Sequence, residues 1–160
     1  MNAPPDSTSK PPSQAKVLVV DDEAIIRHLM VRVLADLGHQ VIEASSGEEA
    51  LRLVDEEQPD LILLDIMMPG VSGIEVCRQL RANRRSETIP IIVVSGANAK
   101  QGLEESIIAG ADDFLAKPIA PLELMVRVRS ILRVGNIRDQ EKRVVAYVKN
   151  LQTIRDAKKS

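Results

Sequence analysis

The chain has 160 residues, 44% of them hydrophobic and 28% charged, with a formal net charge of -2; these proportions suit one globular domain with tails rather than two full domains. Phe114 and Tyr147 are its only aromatic residues, which argues against the stacking platforms that bind single-stranded nucleic acid. One cysteine, Cys77, excludes an internal disulfide or a cysteine metal cluster, and with no apolar run of roughly 18 residues and no basic-then-apolar leader, the expectation is a cytoplasmic protein with no membrane partner.

Residues 1–15, rich in Pro, Ser and Asn without periodicity, are expected to be disordered. Order is expected from Lys16, where Val17-Leu18-Val19-Val20 is a short continuous apolar run of the kind found in strands buried on both faces. Ile26, Met30, Val33 and Leu37 then fall on one face of a helix that Gly38 stops. Gln40–Ala44 reads as a second strand. Ser46-Gly47-Glu48-Glu49 is a capping box that opens a helix through Leu51 and Val54, ended by Pro59. Leu61–Leu64 is a third strand, and Ser72-Gly73-Ile74-Glu75 is a second capping box, opening a helix to about Ala82. Ile91–Val94 is a fourth strand, followed by a helix around Leu103–Ala109. Phe114–Ala116 is a fifth, and Pro121 suits the first turn of a last helix carrying Leu124, Val128 and Ile131. Strands alternating with helices in this way predict an α/β domain over residues 16–134, with a parallel sheet covered on both faces. In such sheets the site forms at the carboxyl ends of the strands.

Those ends are chemically distinctive. The first strand runs into Asp21-Asp22-Glu23, the third ends at Asp65, the fourth at Ser95-Gly96, and the fifth leads to Lys117-Pro118. Each has an ordinary structural reading: Asp21 or Asp22 as a helix cap, Asp65 and Ser95-Gly96 as turn residues, Lys117 as a solvated charge. Together they gather at the one sheet edge where a site is expected. Asp21, Asp22 and Asp65 held close would repel, and either a raised pKa or a cation must relieve the strain; a divalent ion bound by hard oxygens would do so. Magnesium fits, since it takes one or two carboxylates together with water and phosphate oxygens. Three carboxylates, one such ion and the Lys117 ammonium balance to neutrality, and a carboxylate is a competent covalent acceptor of a phosphoryl group.

Asp21-Asp22, Asp65 with Met68-Pro69-Gly70, Ser95-Gly96 and Lys117-Pro118 resemble the motifs of the response-regulator receiver family. The separations of 43 residues from Asp22 to Asp65, 30 to Ser95 and 22 more to Lys117 agree with it, as does Ala111–Leu115 before the lysine. The resemblance covers residues 16–134. It implies a flavodoxin-like, doubly wound five-stranded parallel sheet in the order 2-1-3-4-5 with five helices. It also implies that Asp65 takes a phosphoryl group from a histidine kinase or a histidine phosphotransfer protein. Asp22 and Asp65 would bind Mg2+ through their side chains, Met67 through its backbone carbonyl, and Asp21 through a metal-bound water. Ser95 and Lys117 would hold the phosphoryl oxygens, and the Lys117-Pro118 bond would be cis. Ser95 and Phe114 would form the switch pair, although Phe114 is equally readable as a half-buried core ring. Lacking a hydroxyl, it would act through packing alone. Met67 and Ala97, beside the pocket, would bear on phosphoryl lifetime. The bistable output surface would comprise Lys100–Ala109, Asp113–Ala116 and Pro121–Val134 (fourth helix, fifth strand, fifth helix). A homodimer through it would draw on Asp112, Asp113, Glu123 and Arg127, but Glu104 and Glu105 leave Lys100 as the only base of the fourth helix. The resemblance implies no enzyme beyond self-catalysed phosphotransfer and autodephosphorylation.

The tail differs from the body. Lys and Arg stand against Asp and Glu as 14 to 20 in residues 1–134, and as 7 to 3 in residues 135–160. After Gly135, a C-terminal helical extension carries Ile137, Val144, Tyr147, Leu151 and Ile154 as an a/d-like stripe. Such a stripe packs back on its own domain, pairs with a second copy, or leads to a downstream output domain. Direct nucleic-acid binding is not expected, since no DNA-binding module fits in 26 residues. Two other functions keep the same pocket: a Mg-dependent phosphohydrolase with an Asp nucleophile, or a phosphate-independent interaction module. The phosphohydrolase pattern wants its nucleophile on the first strand with an Asp two residues on, where this chain has Glu23. The full set of five polar residues argues against the interaction module.

Overall fold

A computed structural model describes residues 14–96 and 99–159. Five strands, β1 (Lys16–Val20), β2 (Gln40–Ala44), β3 (Leu61–Asp65), β4 (Ile91–Ser95) and β5 (Asp113–Ala116), form one parallel sheet in the order β2-β1-β3-β4-β5. Between and after them run α1 (Ala24–Asp36), α2 (Gly47–Glu57), α3 (Gly73–Arg81), α4 (Ala99–Ala109), α5 (Pro121–Val134) and α6 (Gln140–Lys159). This is the expected doubly wound fold, with α4 reaching back to Ala99, β5 starting one residue early at Asp113, and α6 as the C-terminal extension.

The period-2 side-chain alternation of strands sorts the sheet into two cores. Val17, Val19, Leu61, Leu63, Ile92 and Val94 face α1 and α5, where Met30, Leu34, Leu124, Val128 and Ile131 meet them. Leu18, Val20, Ile62, Leu64, Ile91 and Val93 face the opposite way, onto Ala50, Val54, Val76, Cys77 and Leu80 of α2 and α3. Every residue of β3 and β4 is buried, as continuous apolar runs require. Truncating one such side chain, Leu63→Ala for instance, costs about 2–5 kcal/mol.

Local signals depart from expectation in three places. The Ser46 hydroxyl accepts from the Glu49 amide at 3.1 Å, but the Glu49 carboxylate returns to the Ser45 amide rather than to Ser46. Ser72 likewise accepts from the Glu75 amide, at 3.3 Å, while Glu75 accepts from Gln79 on the next turn. Neither box closes reciprocally, because a flexible carboxylate takes whichever donor lies nearer. Order begins before Lys16: Ala15 is buried and its amide donates to His39 Nδ1 at 3.0 Å. The remaining tail assignment, residues 1–13, and the Ala97 assignment lie outside the described residues.

Gly135 ends α5, and α6 doubles back along it. The stripe of Val144, Tyr147, Leu151 and Ile154 faces its own domain: Tyr147 is buried in the α1–α5 core with Ile137 and Leu151 packed around it. Among the described residues no helix is long and apolar enough to cross a membrane.

Candidate functional site

Sheet register assembles the site. Val20 pairs with Leu64, so Asp21 follows β1 as Asp65 closes β3, and Asp65 pairs with Val94, one residue before Ser95. Ser95 in turn pairs with Ala116, and its carbonyl accepts from the Lys117 amide at 3.0 Å. Two hydrogen-bonded ladders therefore deliver Asp65, Ser95 and Lys117 to one edge, and the Lys117-Pro118 peptide is cis.

Asp21 is fully buried, Asp65 and Ser95 nearly so, and Asp22 is exposed. The three aspartates each turn one carboxylate oxygen into a common space, all within 4.8 Å of one another. Asp21 Oδ1 accepts from the Glu23 amide at 2.9 Å, forming the turn into α1, and Asp65 Oδ1 accepts from the Met67 amide at 3.2 Å. Their other oxygens, Asp21 Oδ2 and Asp65 Oδ2, are buried without a directed hydrogen bond among the described residues, and the Lys117 ammonium stands 3.0 and 3.5 Å from them. Buried, under-satisfied carboxylate oxygens with one exposed partner suit a hard cation that enters from the Asp22 side. Asp21 therefore does not cap α1: the cap position belongs to Glu23, which makes no side-chain cap bond.

Burial first, and then the Asp21 charge, push the Asp65 carboxyl up to about 6 against the pull of Lys117. Burial draws the Lys117 ammonium down, but Asp21 and Asp65 more than offset this and raise it above its ordinary value. The pocket thus holds one permanent cation beside a carboxylate poised between charge states near neutrality.

The Phe114 ring is half-buried, as its reading as a core ring expects. It packs into the α2–α3 core, and a β-carbon on Gly102 of α4 would stand 3.2 Å from its edge and 3.5 Å from Ile66, the residue after Asp65. Met67 is exposed at the mouth.

Three contributors escaped the sequence reading. Arg27 donates from Nη1 to the Asp21 carbonyl at 2.8 Å and from Nε to Glu43 at 3.0 Å, pinning the turn that carries the acidic pair. Gly73 has no room for a side chain, since a β-carbon there would lie 2.1 Å from the Asp65 carbonyl oxygen. A glycine directly after a capping serine was the only signal available for it. Arg143 of α6 is fully buried on Asp112, and nothing local to α6 marks it.

A family model for the response regulator receiver domain matches residues 17–129. The transcriptional regulatory protein ResD of Bacillus subtilis is 45% identical over 125 residues, covering 76% of this chain and 49% of ResD. The phosphate regulon transcriptional regulatory protein PhoB of Pseudomonas aeruginosa is 38% identical over 125 residues, covering 78% of this chain and 55% of PhoB. The chain spans about half the length of the curated relatives it matches. Among solved structures, the chemotaxis response regulator CheY4 of Vibrio cholerae superposes with a TM-score of 0.68 at 30% identity, over 74% of this chain and 98% of that one.

Proposed function

Since this chain belongs to the response regulator receiver domain family, we propose that it is a cytoplasmic phosphoacceptor of a two-component phosphorelay, taking a phosphoryl group on Asp65. The observation that carries the reading is the pair of buried oxygens on Asp21 and Asp65, held under Lys117 with no other donor among the described residues.

Asp22 and Asp65, with the Met67 carbonyl and with Asp21 acting through water, would hold Mg2+. The ion would supply charge neutralisation for the incoming phosphoryl oxygens. Asp65 Oδ2 attacks the phosphorus of a phosphohistidine on a histidine kinase or phosphotransfer protein. The P–N bond breaks as the O–P bond forms, and the released imidazole nitrogen keeps the electron pair. Lys117, already 3.5 Å from that oxygen, and the Ser95 hydroxyl offset the charge gained. Water attack on the acyl phosphate returns Asp65, so the chemistry is self-catalysed transfer and hydrolysis with no other substrate. The added charge, about -1.5 to -2, biases Ser95, Phe114 and the α4–β5–α5 surface, which addresses an output domain or protein.

Incubation with Mg2+ and acetyl phosphate tests this by intact-mass spectrometry. One phosphoryl adduct is expected, stable in acid, cleaved by hydroxylamine and absent from Asp65→Asn. An adduct that survives in Asp65→Asn but vanishes in Asp21→Asn would favour a phosphohydrolase. No adduct from acetyl phosphate or from a phosphorylated histidine protein would favour a phosphate-independent module.

A further inference from the structure

The contact between α6 and the rest of the domain combines the apolar packing of Tyr147 and Leu151 with a cluster of charged groups. The Arg143 guanidinium is fully buried and donates to both oxygens of Asp112, from Nε at 2.7 Å and from Nη2 at 3.0 Å. Its Nη1 donates to the carbonyl of Thr88 at 2.7 Å. Gln140 reaches the Gly110 carbonyl at 2.7 Å and Asp112 at 3.0 Å. One helical turn beyond Arg143, the Tyr147 hydroxyl donates to Asp113 Oδ2, which Arg127 of α5 also holds. A second guanidinium, Arg81, already pairs with Asp112 Oδ1 at 3.0 Å.

Arg127 also pairs with Glu123 at 3.2 Å, so three guanidiniums meet three carboxylates, and the desolvation of the fully buried Arg143–Asp112 pair offsets most of its attraction. Beyond Tyr147 the packing loosens. Leu151 and Ile154 are only partly buried, and together with Ala120, Leu122 and Val126 they line a groove of about 460 Å³. The helix is therefore held by a polar clamp at one end and lies over a groove at the other, an arrangement that can open.

The clamp is wired to the acidic pocket through the four residues of β5. Asp113 Oδ1 accepts from the Phe114 amide at 2.7 Å, so the orientation of the Asp113 carboxylate follows that peptide. The Phe114 ring and the Ile66 side chain both border Gly102 of α4, Ile66 follows Asp65 in the chain, and the far end of the same strand leads to Lys117. A change in Asp65 that moves Phe114 or Lys117 would tilt the strand that begins with Asp113 and directly follows Asp112.

We propose that α6 is a displaceable helix, docked in cis on the Asp112–Asp113 surface through Arg143 and Tyr147 and released when Asp65 is phosphorylated. This rests on the phosphoacceptor reading of Asp65. Release exposes the β5–α5 surface and an amphipathic basic helix at once, so the two together form the output.

Hydrogen–deuterium exchange on the full chain, with the extent of phosphorylation followed in parallel by intact mass, tests this. With Mg2+ and acetyl phosphate, amide exchange in residues 140–155 should rise by about tenfold or more, as for a locally opened unit, and Asp65→Asn should not respond. Tyr147→Phe, which keeps the ring and removes only the hydroxyl, should raise α6 exchange without phosphate and leave the β3 and β4 amides protected. Phosphorylated protein with unchanged or slower exchange in α6 overturns the proposal and leaves the phosphoacceptor reading standing. Failure to form any adduct overturns both.

Discussion

The Lys117 ammonium stands 3.0 Å from Asp21 Oδ2 and 3.5 Å from Asp65 Oδ2, so in this state the nearer carboxylate takes the larger share of its charge. Asp65 is left under-compensated, which is why burial and Asp21 lift it to about 6 from an ordinary 3.8. Such an acid binds more protons folded than unfolded between those two values, so its contribution to stability is fully present below about 3.8 and lost as pH rises through about 6. The loss amounts to about 3 kcal/mol. Asp65→Asn should therefore raise the melting temperature, more at pH 7.5 than at pH 4.5, by a few degrees in thermal denaturation. Equal shifts at both pH values would show that Asp65 is not strained.

The same proton competes with any cation. Magnesium affinity, measured by titration calorimetry, should hold above pH 6 and fall below it as Asp65 protonates. Asp22 is exposed, so Asp22→Ala should lower that affinity tenfold or more by the same titration. Its metal-free stability should change by less than about 0.5 kcal/mol.

Gly73 touches the pocket from behind. A β-carbon there would press to 2.1 Å from the Asp65 carbonyl oxygen, which is backbone and cannot swing aside. Gly73→Ala should cost about 2 kcal/mol or more in urea denaturation, as overpacking does, and should slow phosphorylation of Asp65 by acetyl phosphate. Gly38→Ala, with nothing within 4 Å but a φ of +90°, should cost about 1 kcal/mol through backbone strain and leave that rate unchanged.

Tyr147 is the only tyrosine, and there is no tryptophan to obscure it. Burial, and then the Asp113 carboxylate, raise its phenol above the ordinary value of 10. Ultraviolet titration should find it un-ionised at pH 10.5 in the folded protein and ionised in urea. Because the unfolded phenol ionises first, stability should fall as pH rises above about 10. Arg143→Met, which frees the clamp, should return the titration toward the ordinary value.

The sheet and the pocket were legible because their signals are local. Runs such as Leu61–Leu64 announce buried strands within four residues, and a parallel sheet sends their carboxyl ends to one edge. What escaped is long-range pairing. Asp112 and Arg143 are 31 positions apart, and an isolated arginine in a basic tail looks solvated. The stripe through Tyr147 and Leu151 has the spacing of any helix with one apolar face, so it shows that a partner exists but not that α5 of the same chain supplies it. Arg27 escaped for a related reason, since a contact to a backbone carbonyl leaves no mark in residue type, and Gly73 showed only as a glycine after a capping serine.

The antiparallel return of α6 also reverses an exit. At Gly135 the chain stands at the amino edge of the sheet, remote from Asp65. By Ile154 and Arg155 it lies alongside Ala120 and Leu122, a few residues past Lys117, having climbed about 22 Å along α6 at 1.5 Å per residue. If the helix pivots at Asp112–Arg143, as the proposed release requires, that pair is the fulcrum of a lever arm whose far end lies beside Ala120 and Leu122. A rotation of a few degrees at that fulcrum becomes a displacement of ångströms where the chain leaves α6.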